Sequence, residues 1–171
     1  LERGYKEAID RIEKLSGKKI IFIQGDLRKT DDIENALQET KPDSVIHFAA
    51  YKSVGEGQKE PEKYFENNVH ATEILVQSMI QNNIKRIIFS SSAAVYGINK
   101  DLPITENSPT NPISVYGKTK LSKGFGLRVR LLNIGLNARI IAPAVHDRQI
   151  PHDLLSACHT VRGAHNLSFL A

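Results

Sequence analysis

Apolar residues in the first part of the chain switch between a helical and a strand-like spacing. Apolar positions recur every three to four residues from Tyr5 to Leu15, and Ser16-Gly17 ends that run. Residues 19–24 then hold the unbroken apolar run Ile20-Ile21-Phe22-Ile23. A run of this kind is typical of a strand that is covered on both faces of a sheet.

The alternation continues along the next segments. Asp31 is predicted to cap a second helix, with Glu34 as its capping-box partner. Residues 44–48 are predicted to form a second buried strand. Pro61 is placed to begin a long helix that ends near residue 82.

A third predicted strand, residues 86–89, runs into three serines, and a proline-containing loop at 97–112 separates it from a helix with Tyr116 and Lys120. Strands that alternate with helices predict βαβ units and a parallel sheet. The fold class expected is therefore α/β, with a Rossmann-like doubly wound parallel sheet that is incomplete.

Polar or small residues follow each predicted strand at its carboxyl end. Asp26 follows the first strand, residues 49–52 follow the second, and Ser90 to Ser92 follow the third. Ligands of parallel α/β sheets bind beyond the carboxyl ends of the strands, so these positions predict a binding site at one edge of the sheet.

Tyr116 and Lys120 lie four residues apart and share one face if their segment is helical. An ammonium beside a phenol favours the phenolate, which makes the tyrosine a usable base near neutral pH. A strand-end serine could donate a hydrogen bond to the same substrate oxygen. The constellation suits the transfer of a proton to or from a sugar hydroxyl.

Composition excludes several other classes. The 171 residues carry a net charge of +4, all of it in residues 121–171, so the charge predicts no nucleic-acid partner. No apolar run is long enough for a membrane span. The single cysteine, Cys158, fits a reducing compartment, and we expect a cytoplasmic protein.

The histidines predict no metal site. The tail residues match no zinc pattern in their spacing, and His47, inside the second strand, is interpreted as a core histidine. The tail set consists of His146, His152, Cys158, His159 and His165.

Several linked motifs, taken in order, resemble those of the UDP-glucose 4-epimerases, which are extended short-chain dehydrogenase/reductases. The resemblance covers about residues 19–120. The motifs are Gly25-Asp26-Leu27-Arg28, the run from Val45 to Glu56, Asn67-Asn68-Val69, the run from Ile88 to Gly97, and Tyr116-Gly117-Lys118-Thr119-Lys120.

The resemblance implies roles for individual residues. It implies Ser92, Tyr116 and Lys120 as the catalytic serine, base and lysine, with NAD as cofactor and a UDP-hexose as substrate. The tyrosinate would remove the proton of the 4-hydroxyl while NAD takes the C4 hydride. The 4-keto sugar would then turn and receive the hydride on its other face. The residues implied to contact NAD are Asp26 at the adenine, Phe48, Ala49, Ala50 and Lys52 along the pyrophosphate and ribose, Asn67, Tyr96 near the nicotinamide, Tyr116 and Lys120.

Two alternatives stay open. The first is another nucleotide-sugar enzyme, a decarboxylase or a dehydratase, although Ala93-Ala94 stands where related dehydratases place acidic residues. The second is a non-catalytic binding or dimerisation module, because the long helix and the Tyr116 helix form the dimer interface in many related enzymes. A homodimer is accordingly expected.

The resemblance also divides the chain. Residues 1–120 are interpreted as a partial NAD-binding Rossmann domain, and 121–171 as a diverged or truncated tail with a weak likeness to the start of the substrate-binding segment. The glycine-rich turn that grips the pyrophosphate in this fold is absent from the sequence. We therefore expect little or no activity from the chain as it stands.

Overall fold

A computed structural model describes residue 5, residues 7–100 and 102–122, and the backbone of 137–141 and 168–170. Helix α1 spans Glu7–Ser16 and ends at Gly17, whose φ of 66° lies in the left-handed region. Strand β1 spans Ile21–Ile23 and is followed by helix α2, Thr30–Thr40. Strand β2, Val45–His47, comes next.

The middle of the chain is almost entirely helical. Helix α3 spans Val54–Lys59, and α4, Pro61–Phe65, begins at the predicted proline. A π-helical turn, Glu66–His70, joins α4 to α5, Ala71–Gln81. The predicted long helix is therefore confirmed, with an interruption by a wider turn.

Strand β3, Arg86–Ser90, leads into a short 3-10 turn, Ala93–Val95. Helix α6 begins at residue 115 and is described as far as 122. Two further strands are β4, Asn137–Ile141, and β5, Ser168–Leu170.

Every strand pairing in the described residues is parallel. One sheet has the order β2-β3-β4, with Ile46 opposite Ile88 and Ile88 opposite Arg139. A second, two-stranded sheet pairs β1 with β5, with Phe22 opposite Phe169. Parallel strands joined by helices confirm the predicted α/β class with an incomplete Rossmann-like sheet.

The main core lies between the β2-β3-β4 sheet and the helices α2 and α5. Most of its side chains are apolar, although α2, α5 and β2 also bury Thr40, Thr72, Ser78 and His47, and burial of apolar surface is the main favourable contribution to folding. Its buried members are Ile33, Leu37, Leu75, Val76, Met79, Ile84, Ile87 and Phe89.

Two predictions about local structure were wrong. Helix α2 begins one residue before Asp31, Lys29 occupies its N-cap, and no side chain caps it. Glu34 instead accepts a hydrogen bond from Asn82 Nδ2 at 2.7 Å, so it is drawn towards α5 rather than towards its own helix start.

The first two strands are also less covered than predicted. Ile21 is 38% exposed and Ile46 is 37% exposed. Because β1 and β2 belong to separate sheets, each has an edge without a paired strand among the described residues.

Candidate active site

The carboxyl end of β3 places the predicted serine. Ser92 is half-buried and is the N-cap of the 3-10 turn, where its Oγ accepts a hydrogen bond from Ala94 N at 3.2 Å. This bond uses an acceptor lone pair of the hydroxyl and leaves its proton able to donate to another oxygen. Tyr96 is half-buried at the other end of the same turn, with its N–H bonded to Ala93 O at 3.1 Å.

Helix α6 carries the predicted tyrosine and lysine on one face. Lys120 is only 3% exposed, and its Nζ donates to Ser90 O at 2.7 Å. The same Nζ lies 4.9 Å from the centre of the Phe89 ring and 5.9 Å from that of Tyr116. Both distances lie within the range of a cation–π contact.

Burial is what distinguishes Lys120 from an ordinary surface lysine. Removal from water lowers the pKa of Lys120 from 10.5 to about 8. The side chain is therefore mostly an ammonium at neutral pH, and it supplies a positive charge next to the half-buried Tyr116.

A glycine allows the serine turn and the tyrosine helix to meet. A Cβ at Gly117 would lie 2.5 Å from the carbonyl oxygen of Ala94 and 3.0 Å from Pro112 Cβ. Any side chain here would push the 3-10 turn away from α6. Gly117, directly after Tyr116, thus brings the helix against the turn that begins at Ser92.

Asn68 belongs to the Asn67-Asn68-Val69 motif, for which the sequence predicts a role only at Asn67. Asn68 is fully buried, its Oδ1 accepts from Tyr51 N at 2.8 Å, and its Nδ2 donates to Tyr51 O at 2.9 Å. Nδ2 also donates to Thr119 Oγ1 at 3.2 Å. Asn68 therefore ties the loop after β2 to α6, next to Lys120.

The hydrogen-bond network around Asn68 continues through Thr72 to His47 in strand β2. Thr119 Oγ1 donates to Tyr116 O at 2.8 Å, and Thr72 Oγ1 donates to Asn68 O at 2.9 Å. His47 Nε2 lies 2.9 Å from Thr72 Oγ1, whose proton is already used, so this ring nitrogen is the donor. The interpretation of His47 as a satisfied core histidine is confirmed, since it is 4% exposed and hydrogen-bonded.

Sequence spacing gives no signal for this network, because Thr72 bonds to the backbone carbonyl of residue 68 and the Asn68 side chain meets the distant residues Tyr51 and Thr119. The π-helical turn that carries Asn68 has no sequence signature either. Asn67, the predicted cofactor contact, is half-buried, and its Nδ2 donates to Asn68 Oδ1 at 3.1 Å.

The predicted cofactor loop after β2 is open. Phe48 is 70% exposed, Ala49 and Lys52 are exposed, and Ala50 is half-buried. Small side chains at 49 and 50 leave the backbone accessible, which suits the close approach of a diphosphate. The loop lies at the carboxyl end of β2, on the side where parallel α/β sheets bind their ligands.

Asp26 follows β1 as predicted, but its carboxylate already has a partner. Arg28 donates to it through its backbone N–H at 3.0 Å, through Nε at 2.9 Å and through a terminal nitrogen at 2.6 Å. These bonds from Arg28 hold the pKa of Asp26 at about 2. An adenine amino group at Asp26 would have to share the carboxylate with Arg28.

The structure thus brings together Ser92, Tyr116 and Lys120 around the end of β3. The tail residues considered for a metal site, the histidines after 145 and Cys158, lie outside the described residues. Within the described part of the chain, no group of three or more histidine, cysteine or carboxylate side chains is placed to hold a metal ion. No helix found there has the length and apolar character needed to cross a membrane.

These features define a class of protein. A parallel α/β sheet with a strand-end serine and a Tyr-x-x-x-Lys helix beside it is the arrangement of a Rossmann-fold, short-chain dehydrogenase/reductase type domain. The model of the family described as GDP-mannose 4,6 dehydratase matches residues 2–128. The chain belongs to that family.

The similar curated proteins are UDP-glucose 4-epimerases, a name that differs from the description of the family model. The chain is 46% identical over 121 residues to the UDP-glucose 4-epimerase of Lactobacillus helveticus. The aligned region covers 71% of this chain and 34% of that protein. The chain is 44% identical over 115 residues to the UDP-glucose 4-epimerase of Drosophila melanogaster, covering 67% of this chain and 33% of that protein. The chain thus spans about a third of the length of these curated relatives, and the predicted resemblance to UDP-glucose 4-epimerases is confirmed.

Solved structures agree with the sequence relatives. The UDP-glucose 4-epimerase of Bifidobacterium longum, in complex with NAD+ and UDP, superposes with a TM-score of 0.76 at 39% identity, covering 80% of this chain and 42% of that one. The enzyme of Stenotrophomonas maltophila, with bound NAD and a formylated UDP-arabinopyranose, gives a TM-score of 0.75 at 34% identity, covering 83% and 42%.

Proposed function

We propose that this chain carries the acid–base half of a UDP-hexose 4-epimerase site that works with NAD. The observation that supports this most directly is the buried Lys120, whose Nζ is bonded to the end of β3 and lies 5.9 Å from the Tyr116 ring centre. The names of the matching relatives and the NAD in the solved structures point to the same reaction.

Each residue has a part in that chemistry. Tyr116 is the base that takes the proton of the sugar 4-hydroxyl, and Lys120 stabilises the phenolate by its positive charge. Ser92 donates its hydroxyl proton to the same sugar oxygen and so holds it beside Tyr116. General-base catalysis of this kind contributes roughly 10²- to 10⁴-fold to the rate.

The exposure of the loop after β2 supports its assignment to the dinucleotide. Phe48, Ala49, Ala50 and Lys52 would hold the pyrophosphate and ribose, Asn67 would lie near the cofactor, and Tyr96 would lie close to the nicotinamide. Asp26 would meet the adenine in competition with Arg28. When bound, NAD would supply the hydride acceptor and donor for sugar C4.

Epimerisation is favoured over dehydration by the residues next to Ser92. Elimination of water needs an acid and a base near the sugar, and related dehydratases have an acidic pair there. This chain has Ala93 and Ala94, which form the 3-10 turn beside α6 and carry no ionisable group. Tyr116 and Ser92 therefore serve proton transfer at one sugar oxygen, and the turn adds no second acid–base pair.

An assay of the purified 171-residue chain with UDP-galactose and NAD tests the expectation of little or no activity. We expect turnover indistinguishable from a buffer blank. Clear turnover that Tyr116→Phe abolishes would overturn that expectation while supporting the proposed reaction.

A hybrid enzyme tests the reaction itself. The aligned third of the Lactobacillus helveticus epimerase would be replaced by the matching residues of this chain. We expect the hybrid to interconvert UDP-galactose and UDP-glucose, and Tyr116→Phe to lower its kcat by about 10²-fold or more. Lys118→Met, an exposed lysine on the same helix, is the control and should leave kcat unchanged. A folded hybrid that binds NAD but loses nothing through Tyr116→Phe would contradict the proposal.

A further inference from the structure

Helix α6 receives a cap from a residue far away in the sequence. Val115, its first residue, donates its backbone N–H to the side-chain Oε1 of Gln58 at 3.0 Å. The first four N–H groups of a helix have no partner inside the helix, so each needs one from outside. Ser114 Oγ supplies another by accepting from Gly117 N at 3.0 Å.

The backbone that carries Gln58 is held in place. Helix α3 is capped by Ser53, whose Oγ accepts from Glu56 N at 3.3 Å. Gly57 is buried so close to the Tyr64 ring that a Cβ there would lie 3.1 Å from it. The exposed Gln58 side chain therefore reaches Val115 from a helix whose backbone is held at its start and at Gly57.

The two ends of the described part of α6 are tied differently. Lys120 is bonded to Ser90 O, and the preceding Thr119 is bonded to the buried Asn68. Tyr116 lies in the first turn, where Gln58 and Ser114 accept from backbone N–H groups and Thr119 Oγ1 donates to the carbonyl of Tyr116 itself. Helix α3 also follows directly on the loop of residues 48–52, which is proposed to line the cofactor.

We infer that Gln58 is a positioning residue, which fixes the first turn of α6 so that Tyr116 keeps its place relative to the loop at 48–52. This role rests on the proposed function of Tyr116 as the base. Gln58 acts through its hydrogen bond to the backbone N–H of Val115, not through a contact with substrate.

Nuclear magnetic resonance of the full chain, without substrate or cofactor, tests the inference with two variants. Gln58→Leu removes the acceptor while keeping the bulk, whereas Gln58→Glu keeps an acceptor oxygen. We expect Gln58→Leu to speed the exchange of the Val115 amide with water about fivefold, as the loss of a helix cap does. We also expect it to shift the ring resonances of Tyr116, and Gln58→Glu to restore both values to those of the parent chain.

The amides of Ile87 and Phe89 in β3 report on global opening and should exchange at the parent rate in both variants. The inference is overturned if Val115 exchange does not change in Gln58→Leu, or if Gln58→Glu behaves like Gln58→Leu. It is equally overturned if exchange at Val115 rises while the Tyr116 ring resonances stay in place, since the cap would then hold the backbone without positioning the side chain. None of these readouts needs turnover, so a failed epimerase assay and a failed cap are separate results.

Discussion

Replacing Lys120 by methionine should remove a pH dependence of folding stability above neutral pH. The folded chain releases the Lys120 proton near pH 8, because burial lowers its pKa from 10.5 to about 8. The unfolded chain keeps that proton until about pH 10.5. Between these two values the unfolded state binds more protons, so the free energy of unfolding rises with pH.

The magnitude follows from the two pKa values. A fall in the Lys120 pKa from 10.5 to about 8 means that the buried charge lowers the free energy of unfolding by about 3 kcal/mol at pH 7. This cost disappears by about pH 10.5, where the folded chain has released the proton. Because Lys120 is only 3% exposed, little of this figure is screened by solvent. Methionine keeps much of the aliphatic stem and has no proton to lose, so the variant lacks the penalty at every pH. It also lacks the bond from the charged ammonium to Ser90 O, which contributes about 2 kcal/mol.

Urea unfolding followed by circular dichroism would measure the effect at pH 7, 8, 9 and 10.5. At pH 7, Lys120→Met should be more stable than the parent chain by about 1 kcal/mol, and this difference should fall by about 3 kcal/mol by pH 10.5. Lys118→Met, exposed on the same helix, should track the parent chain at all four values. A difference between Lys120→Met and the parent that stays constant with pH would refute the reasoning.

Three further substitutions have defined outcomes. Asn68→Ala should cost about 2 to 4 kcal/mol in urea unfolding, because it leaves buried backbone groups without partners, whereas Asn67→Ala should cost under about 1 kcal/mol; equal costs would contradict the role of Asn68. Gly117→Ala should lower the thermal midpoint through its clash with the 3-10 turn, while Gly55→Ala, which meets nothing within 4 Å, should not lower it. Asp26→Asn should lower the free energy of unfolding by about 1 kcal/mol above pH 4, after allowance for solvent screening, and should approach the parent chain near pH 2. The reason is that the lowered pKa of Asp26 stabilises the fold only while the carboxylate is ionised. A loss that persists unchanged at pH 2 would show that charge is not the cause.

The order of the described elements up to α6 could be predicted from the sequence because periodicity reports burial directly. The apolar run before Ser90 became β3, and Pro61 became the first residue of α4, where a missing N–H costs nothing. The Tyr116 and Lys120 pair could be placed on one helix face by spacing alone. The motifs in order then implied the family, which the comparisons confirmed.

Other features depend on contacts that sequence spacing does not encode. The π-helical turn turns Asn68 inward, and only the packed fold shows that Tyr51 and Thr119 meet it there. The cap assigned to Asp31 failed because the helix starts one residue earlier and Glu34 is drawn to α5. In both cases the observed hydrogen bonds join residues far apart in the sequence, Asn68 with Tyr51 and Thr119 and Glu34 with Asn82.

The two parts of the proposed site are built in different ways, and this has a consequence for mutations. Lys120 is buried and bonded within the chain, so its substitution changes stability and chemistry together. Phe48 and Lys52 are exposed, and they make little contribution to the core. Substitutions at these exposed positions should alter cofactor affinity with little effect on folding, since surface changes rarely exceed about 0.5 kcal/mol. The buried Lys120 and the open loop can therefore be separated experimentally by comparing unfolding with binding in the same variants.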